Sequence, residues 1–124
     1  MRSKSRTLTE QELEIMKVVW ELHNATVRDV YEALLRRRKI AYTTVMTMMN
    51  ILEEKGYLKK RAEDKAHVYR PAQARARVIR AMVQEFVERV FNGSAEPLLV
   101  QLVKDRQLSP QELEKIARAI KERS

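Results

Sequence analysis

The sequence predicts a mainly α-helical chain with one small β-hairpin: an N-terminal unit of three helices plus the hairpin, then a C-terminal unit of three amphipathic helices. Three observations carry that prediction. Apolar residues recur at helical spacing through most of the 124 residues, with only 2 Gly and 3 Pro to interrupt them. One β-prone stretch, residues 57–70, separates the third helical pattern from the fourth and ends at Pro71. Beyond it the composition turns wholly helical, which places the units at residues 8–71 and 72–124 and leaves residues 1–7 as a basic arm carrying Arg2, Lys4 and Arg6.

The helix starts are written in capping chemistry. Thr9 with Glu12 three residues on makes a capping box, Leu8 can staple to Leu13, and Leu13, Met16, Val19 and Trp20 continue one face as far as His23-Asn24. Thr26 with Asp29 opens a second helix through Val27, Val30, Ala33 and Leu34, ending in the basic run Arg36-Arg37-Arg38-Lys39, which suits the negative end of a helix dipole. A third helix is expected from Thr43 to Lys55, stopped by Gly56, with Val45, Met48, Met49 and Leu52 on its buried face. The opposite face presents Thr43, Thr47, Asn50 and Glu54, flanked by Thr44 and Met46. Tyr57–Arg61 and His67–Arg70 read as two strands joined by a turn over residues 62–66.

In the second unit, Ile79, Met82, Val83, Phe86, Val87, Val90 and Phe91 form one unbroken helical stripe closed by Asn92-Gly93. A shorter helix carries Leu98, Leu99, Leu102 and Val103. The last starts at Leu108-Ser109-Pro110-Gln111-Glu112, a second staple and capping box, and carries Leu113, Ile116 and Ile120. So long a stripe needs a partner, and residues 72–124 are too few to bury it alone. A homodimer is therefore expected, with Ile79, Met82, Val83, Phe86, Val87, Val90, Leu98, Leu102, Leu113, Ile116 and Ile120 at its interface, the alternative being a stripe that folds back on the N-terminal unit within one chain.

Composition narrows the function. Lys and Arg number 25 against 17 Asp and Glu, a net charge of +8, which points to a polyanionic partner. Without Cys there are no disulfides, thiol nucleophiles or thiolate metal sites, and His23 and His67 stand too far apart in sequence to suggest a zinc cluster. Two glycines cannot build a phosphate-cradling loop, and no Gly-x-Ser-x-Gly elbow is present. An enzyme is not expected, nor any cofactor or metal. With no leader-like or membrane-length apolar run, a cytoplasmic protein without membrane association is expected.

What remains is a binding constellation. A helix lying in the major groove must offer small donors and acceptors: Asn can pair bidentately with adenine, and Thr supplies a hydroxyl and a methyl. Thr43, Thr44, Thr47 and Asn50 meet that need, although the face alone fits a plain solvated surface equally well. The hairpin tips the balance, because Lys59, Lys60, Arg61, Lys65, His67 and Arg70 around one turn would straddle a phosphate backbone, with Arg2, Lys4 and Arg6 adding contacts from the arm. An RNA-binding or ribosome-associated module stacking bases on Tyr42, Tyr57 or Tyr69 stays open, as does a helical adaptor.

Five segments together resemble the penicillinase-repressor family, which includes methicillin-resistance and copper-responsive repressors. They are Leu8-Thr9-x-x-Glu12-Leu13-x-Ile15-Met16-x-x-Val19-Trp20, Thr26-Val27-Arg28-Asp29-Val30, Ala41-Tyr42-Thr43-Thr44-Val45-Met46-Thr47, Leu52-x-x-Lys55-Gly56-Tyr57-Leu58 and Tyr69-Arg70-Pro71. The resemblance spans nearly the whole chain. It implies a winged helix-turn-helix domain followed by a helical dimerisation domain, and repression of transcription from pseudo-palindromic operators in double-stranded DNA. Base reading would fall on Thr43, Thr44, Met46 and Thr47, with Met46 standing where some members carry a basic residue. The copper-responsive branch uses a C-terminal cysteine cluster that this chain lacks. The antibiotic-responsive branch implies a protease partner that inactivates the repressor by cutting its C-terminal unit. The corresponding bond is Gln101-Leu102, where signalling members carry Asn before Phe.

Overall fold

The computed structural model describes residues 7–123, so Arg2, Lys4 and Arg6 lie outside the described residues. The elements run α1 (Glu10–Leu22), α2 (Val27–Leu35), α3 (Tyr42–Glu54), β1 (Leu58–Glu63), β2 (Ala66–Pro71), α4 (Arg75–Phe91), α5 (Glu96–Lys104) and α6 (Pro110–Arg123). They fall into two compact units that part between Met82 and Val83.

Both N-terminal capping boxes form. The Thr9 hydroxyl accepts from the Glu12 amide at 3.2 Å while the Glu12 carboxylate accepts from the Thr9 amide at 2.9 Å, and Thr26 with Asp29 repeats the exchange at 3.1 and 2.9 Å. The helices so started bury Ile15, Met16 and Val19 from α1, Val30 and Leu34 from α2, and Val45, Met49 and Leu52 from α3 around one core, with Leu8 beside them. Met48, expected on the same buried face, packs against the edge of that core and stays half-buried.

The hairpin closes the core with Leu58 and Tyr69. Its turn is tighter than the five residues read from the sequence: Ala62 pairs with His67 and Glu63 with Ala66, so only Asp64 and Lys65 connect the strands. Asp64 sits at φ 53°, a left-handed value that its short polar side chain tolerates, and this lets the strands continue to the tip. A further strand of one residue joins the sheet. Ala25, between α1 and α2, donates to the Tyr69 carbonyl at 2.9 Å and accepts from the Tyr69 amide at 2.8 Å. No periodicity in the sequence can announce a single residue.

Glu12 has a second role beyond its cap. It is 5% exposed, and the Lys55 ammonium at the end of α3 lies 2.9 and 3.2 Å from its two carboxylate oxygens. Burial on its own would raise the carboxyl pKa, but the Thr9 amide and Lys55 outweigh it and hold the group below its ordinary 4.5. Glu14 is lowered too, chiefly by its hydrogen bond to Arg38 at 2.7 Å. A carboxyl depressed in the folded state stabilises it above the unfolded value, and that stability is lost as pH falls through the folded value. Acid titration of the melting temperature should therefore show a decline setting in near pH 4.5. A Glu12→Gln variant should be less stable at neutral pH and decline less steeply; an equally steep decline would place the acid-sensitive groups elsewhere.

The Trp20 indole N–H donates to the Gln73 carbonyl at 3.0 Å, tying α1 to the chain just ahead of α4. Pro71 ends the hairpin without ending the first compact unit. Val78, which the apolar stripe omitted, is 3% exposed in the first core, and Met82 packs half-buried against the same core. The physical reason is that helical periodicity reports an apolar face, whereas the neighbour that each turn meets is set by tertiary packing.

In the second unit, α5 and α6 bury no residue fully. Val83, Phe86, Val90, Ile116 and Ile120 are among its large exposed apolar side chains, Ile120 at 60%. Phe86 and Phe91 meet edge to face with ring centres 5.8 Å apart. The Ser109–Glu112 capping box forms at 3.0 and 2.8 Å and starts α6 at Pro110, as the sequence indicates.

Candidate nucleic-acid interface

The outer face of α3 is open. Thr43, Thr44, Met46, Thr47 and Asn50 are all exposed, while Val45, Met49 and Leu52 anchor the helix from behind. Two depressions flank this face. A cleft of about 570 Å³ is lined by Thr26 and Arg28 at the start of α2, Tyr42, Met46 and Asn50 of α3, and Lys60, Lys65, His67 and Tyr69 of the hairpin. A shallower one of about 330 Å³ holds Thr43, Thr44, Thr47 and Met48 with Gln11 of α1. The sequence-predicted readers thus divide between two sides of one helix, with Met46 and Asn50 toward the hairpin and the threonines toward α1.

The larger cleft gathers Lys60, Lys65 and His67 of the hairpin with Arg28 of α2, which is distant from them in sequence. Lys65 sits in the tight turn, and the pairing of Ala62 with His67 keeps His67 one rung below the tip. Arg28 belongs here although the sequence reading left it out. Its guanidinium carbon stands 5.8 Å from the centre of the Tyr42 ring, which in turn meets Tyr31 edge-on at 5.4 Å. A cation in the first turn of a helix opposes the macrodipole, and that mismatch at Arg28 was the available signal of a role beyond helix stability. Arg61 does not line this cleft. It pairs with Glu63 two residues along the same strand at 3.0 Å, both side chains being about half exposed.

Asn50 is engaged as well as exposed. Its Oδ1 accepts from the Tyr69 hydroxyl at 2.9 Å. Burial, with Glu53 and Tyr42 nearby, pushes the Tyr69 pKa up and keeps that phenol a donor.

A helix-turn-helix formed by α2 and α3, with a basic two-stranded wing lying against α3, defines a winged-helix unit of the class that places a helix in a nucleic-acid groove. Known proteins bear this out at the level of family. The family model for the penicillinase repressor matches residues 8–122. The transcriptional regulator BlaI of Mycobacterium tuberculosis is 33% identical over 122 residues, covering 97% of this chain and 87% of that protein. The penicillinase repressor of Bacillus licheniformis is 26% identical over 93% of this chain and 90% of its own length. Among solved structures, the DNA-binding domain of the repressor BlaI superposes with a TM-score of 0.53 at 28% identity, over 60% of this chain and 92% of that one. The monomeric form of Bacillus licheniformis BlaI in complex with the blaP half-operator gives 0.50 at 28% identity, over 56% and 85%. The chain belongs to the penicillinase repressor family. Its named relatives are transcriptional regulators and repressors, not enzymes.

Proposed function

We propose that this protein is a sequence-specific DNA-binding transcriptional repressor, acting in the cytoplasm as a homodimer on a pseudo-palindromic operator. The observation that carries the reading is the open α3 face bordered by the cationic cleft. Small hydroxyls stand on the helix, and Arg28, Lys60, Lys65 and His67 stand beside it, the pairing that base readout and phosphate anchoring require. The related BlaI solved with a half-operator supports it. Thr43, Thr44 and Thr47 would read base edges, and Met46 would offer an apolar contact to a thymine methyl in place of a charge. Arg2, Lys4, Arg6, Arg61, Lys65 and His67, now with Arg28 and Lys60, would contact phosphates. RNA stacking loses ground because Tyr57 and Tyr69 are 6% and 2% exposed, leaving Tyr42 as the accessible ring of the three.

The exposed apolar faces of α4, α5 and α6 support dimerisation through the second unit, since matching them across two copies removes large apolar area from water. Release by proteolysis at Gln101-Leu102 would require α5 to open. Both residues lie within that helix, Leu102 is half-buried, and the Gln101 amide donates to Asp105 at 3.1 Å.

Selection of bound duplexes from a random DNA pool tests the reading, with two half-sites of opposite polarity expected. On the selected operator, Thr47→Ala should cost about 1–3 kcal/mol and leave binding to random DNA unchanged. Lys65→Gln should weaken both and lower the salt slope by about 1. Equal losses on operator and random DNA for Thr47→Ala would remove α3 as the reader.

A further inference from the structure

We propose that Asn50 and Tyr69 are positioning residues: the hydrogen bond between them fixes the angle of the wing against α3, so that the wing's cations meet phosphates in register with the bases read by α3. This rests on the DNA-binding reading above and adds to it the device that aligns the two contact surfaces.

Tyr69 is placed for such a role. Its backbone is paired on one side with Lys60 of β1 and on the other with Ala25 through two hydrogen bonds, and it is 2% exposed. Its hydroxyl reaches the face of α3, donating to Asn50 Oδ1 at 2.9 Å. Beyond Tyr69 the hairpin projects through exposed residues to the turn at Asp64 and Lys65, with Val68 half-buried on the way. At roughly 3.4 Å per residue, Lys65 stands up to about 14 Å beyond Tyr69, so a tilt of about 10° at the base moves the tip by about 2 Å, enough to take an ammonium out of hydrogen-bond reach of a phosphate.

The bond also assigns the Asn50 amide. With the Tyr69 hydroxyl donating to Oδ1, one lone pair of that oxygen serves the wing, and the bond holds the amide in one orientation from within the protein. Lys65 and His67 stand on the wing beyond Tyr69 and line one cleft with Asn50 and Tyr69, so they are the groups whose spacing to α3 the joint sets.

The experiment measures Kd at several salt concentrations for the full-length chain on the duplex selected from the random pool. Tyr69→Phe keeps the ring and every backbone pairing and removes the single hydroxyl. It should weaken binding about three- to tenfold and lower the salt slope by about 1, with helical content unchanged. Asn50→Ala should give the same loss, and the double variant no more than either alone. Lys65→Gln should lower the slope by about 1 in the parent but less in the Tyr69→Phe background, a coupling between a buried ring and a remote tip that lost stability alone does not produce. The proposal is overturned if Tyr69→Phe leaves Kd and slope unchanged. It is also overturned if the Asn50 and Tyr69 losses multiply and Asn50→Ala alone relaxes the preference at one base pair, which would make Asn50 a base reader. Should the parent chain show neither sequence preference nor salt dependence on duplex DNA, the DNA-binding reading itself would fail.

Discussion

Replacing Phe86 by Asp is expected to turn the proposed dimer into monomers at micromolar concentration and to weaken binding to the proposed palindromic operator by about a hundredfold or more. Phe86 is 40% exposed on α4, with Val83 and Val90 exposed one turn to either side and Phe91 against its ring edge. A carboxylate there would have to be desolvated in the proposed apolar seam, a cost that lost apolar contacts add to. Binding at the second half-site is then no longer intramolecular, and its effective concentration is lost. Affinity for an isolated half-site should stay the same, because Thr44, Thr47 and the cationic cleft belong to the first unit. A chain ending at Gln101 should behave alike. Sedimentation showing the Phe86→Asp chain still dimeric, with operator affinity intact, would move the seam to another face.

Replacing Lys55 by Met should destabilise the first unit by roughly 3 kcal/mol, since it strands the Glu12 carboxylate in a buried site with only the Thr9 cap to satisfy it. The side chains of Lys55 and Glu12 are 11% and 7% exposed, far from the solvated pairs on α2 and α6 that contribute little. Combining Lys55→Met with Glu12→Gln should recover part of the loss, because the second change removes the unpaired charge. Denaturant unfolding of the four chains gives the coupling directly. A cost below about 1 kcal/mol for Lys55→Met would show that water reaches this pair as freely as it does surface bridges.

These two expectations differ in how far the sequence alone supports them. Capping boxes were legible because donor and acceptor lie three residues apart, so Thr9, Thr26 and Ser109 each announce a helix start without reference to the rest of the fold. The open face of α3 was legible for the same reason, since periodicity within one helix decides which side is apolar. Lys55 finding Glu12, Tyr69 finding Asn50 and Ala25 joining the sheet were not, because each depends on where separate elements are brought by the core. The stripe on α4 lay between these cases. Its apolar face was plain, yet the assignment of Val78 and Met82 to the first core follows from packing that no single-helix pattern encodes. Asp64 shows a subtler gap: the polar run over residues 62–66 reads as a loop, and one left-handed residue was enough to make it a tight hairpin.

The indole of Trp20, held in the first unit by the Gln73 carbonyl, gives the molecule a built-in optical division. It is the single tryptophan of the chain, and the four tyrosines, Tyr31, Tyr42, Tyr57 and Tyr69, all precede the break at Met82, whereas both phenylalanines, Phe86 and Phe91, follow it. Emission excited near 280 nm therefore reports the first unit and is blind to the second, while far-ultraviolet dichroism sums the helices of both. Any interval between the fluorescence and dichroism midpoints during unfolding is a direct reading of how independently the two units melt, obtained without a single engineered label.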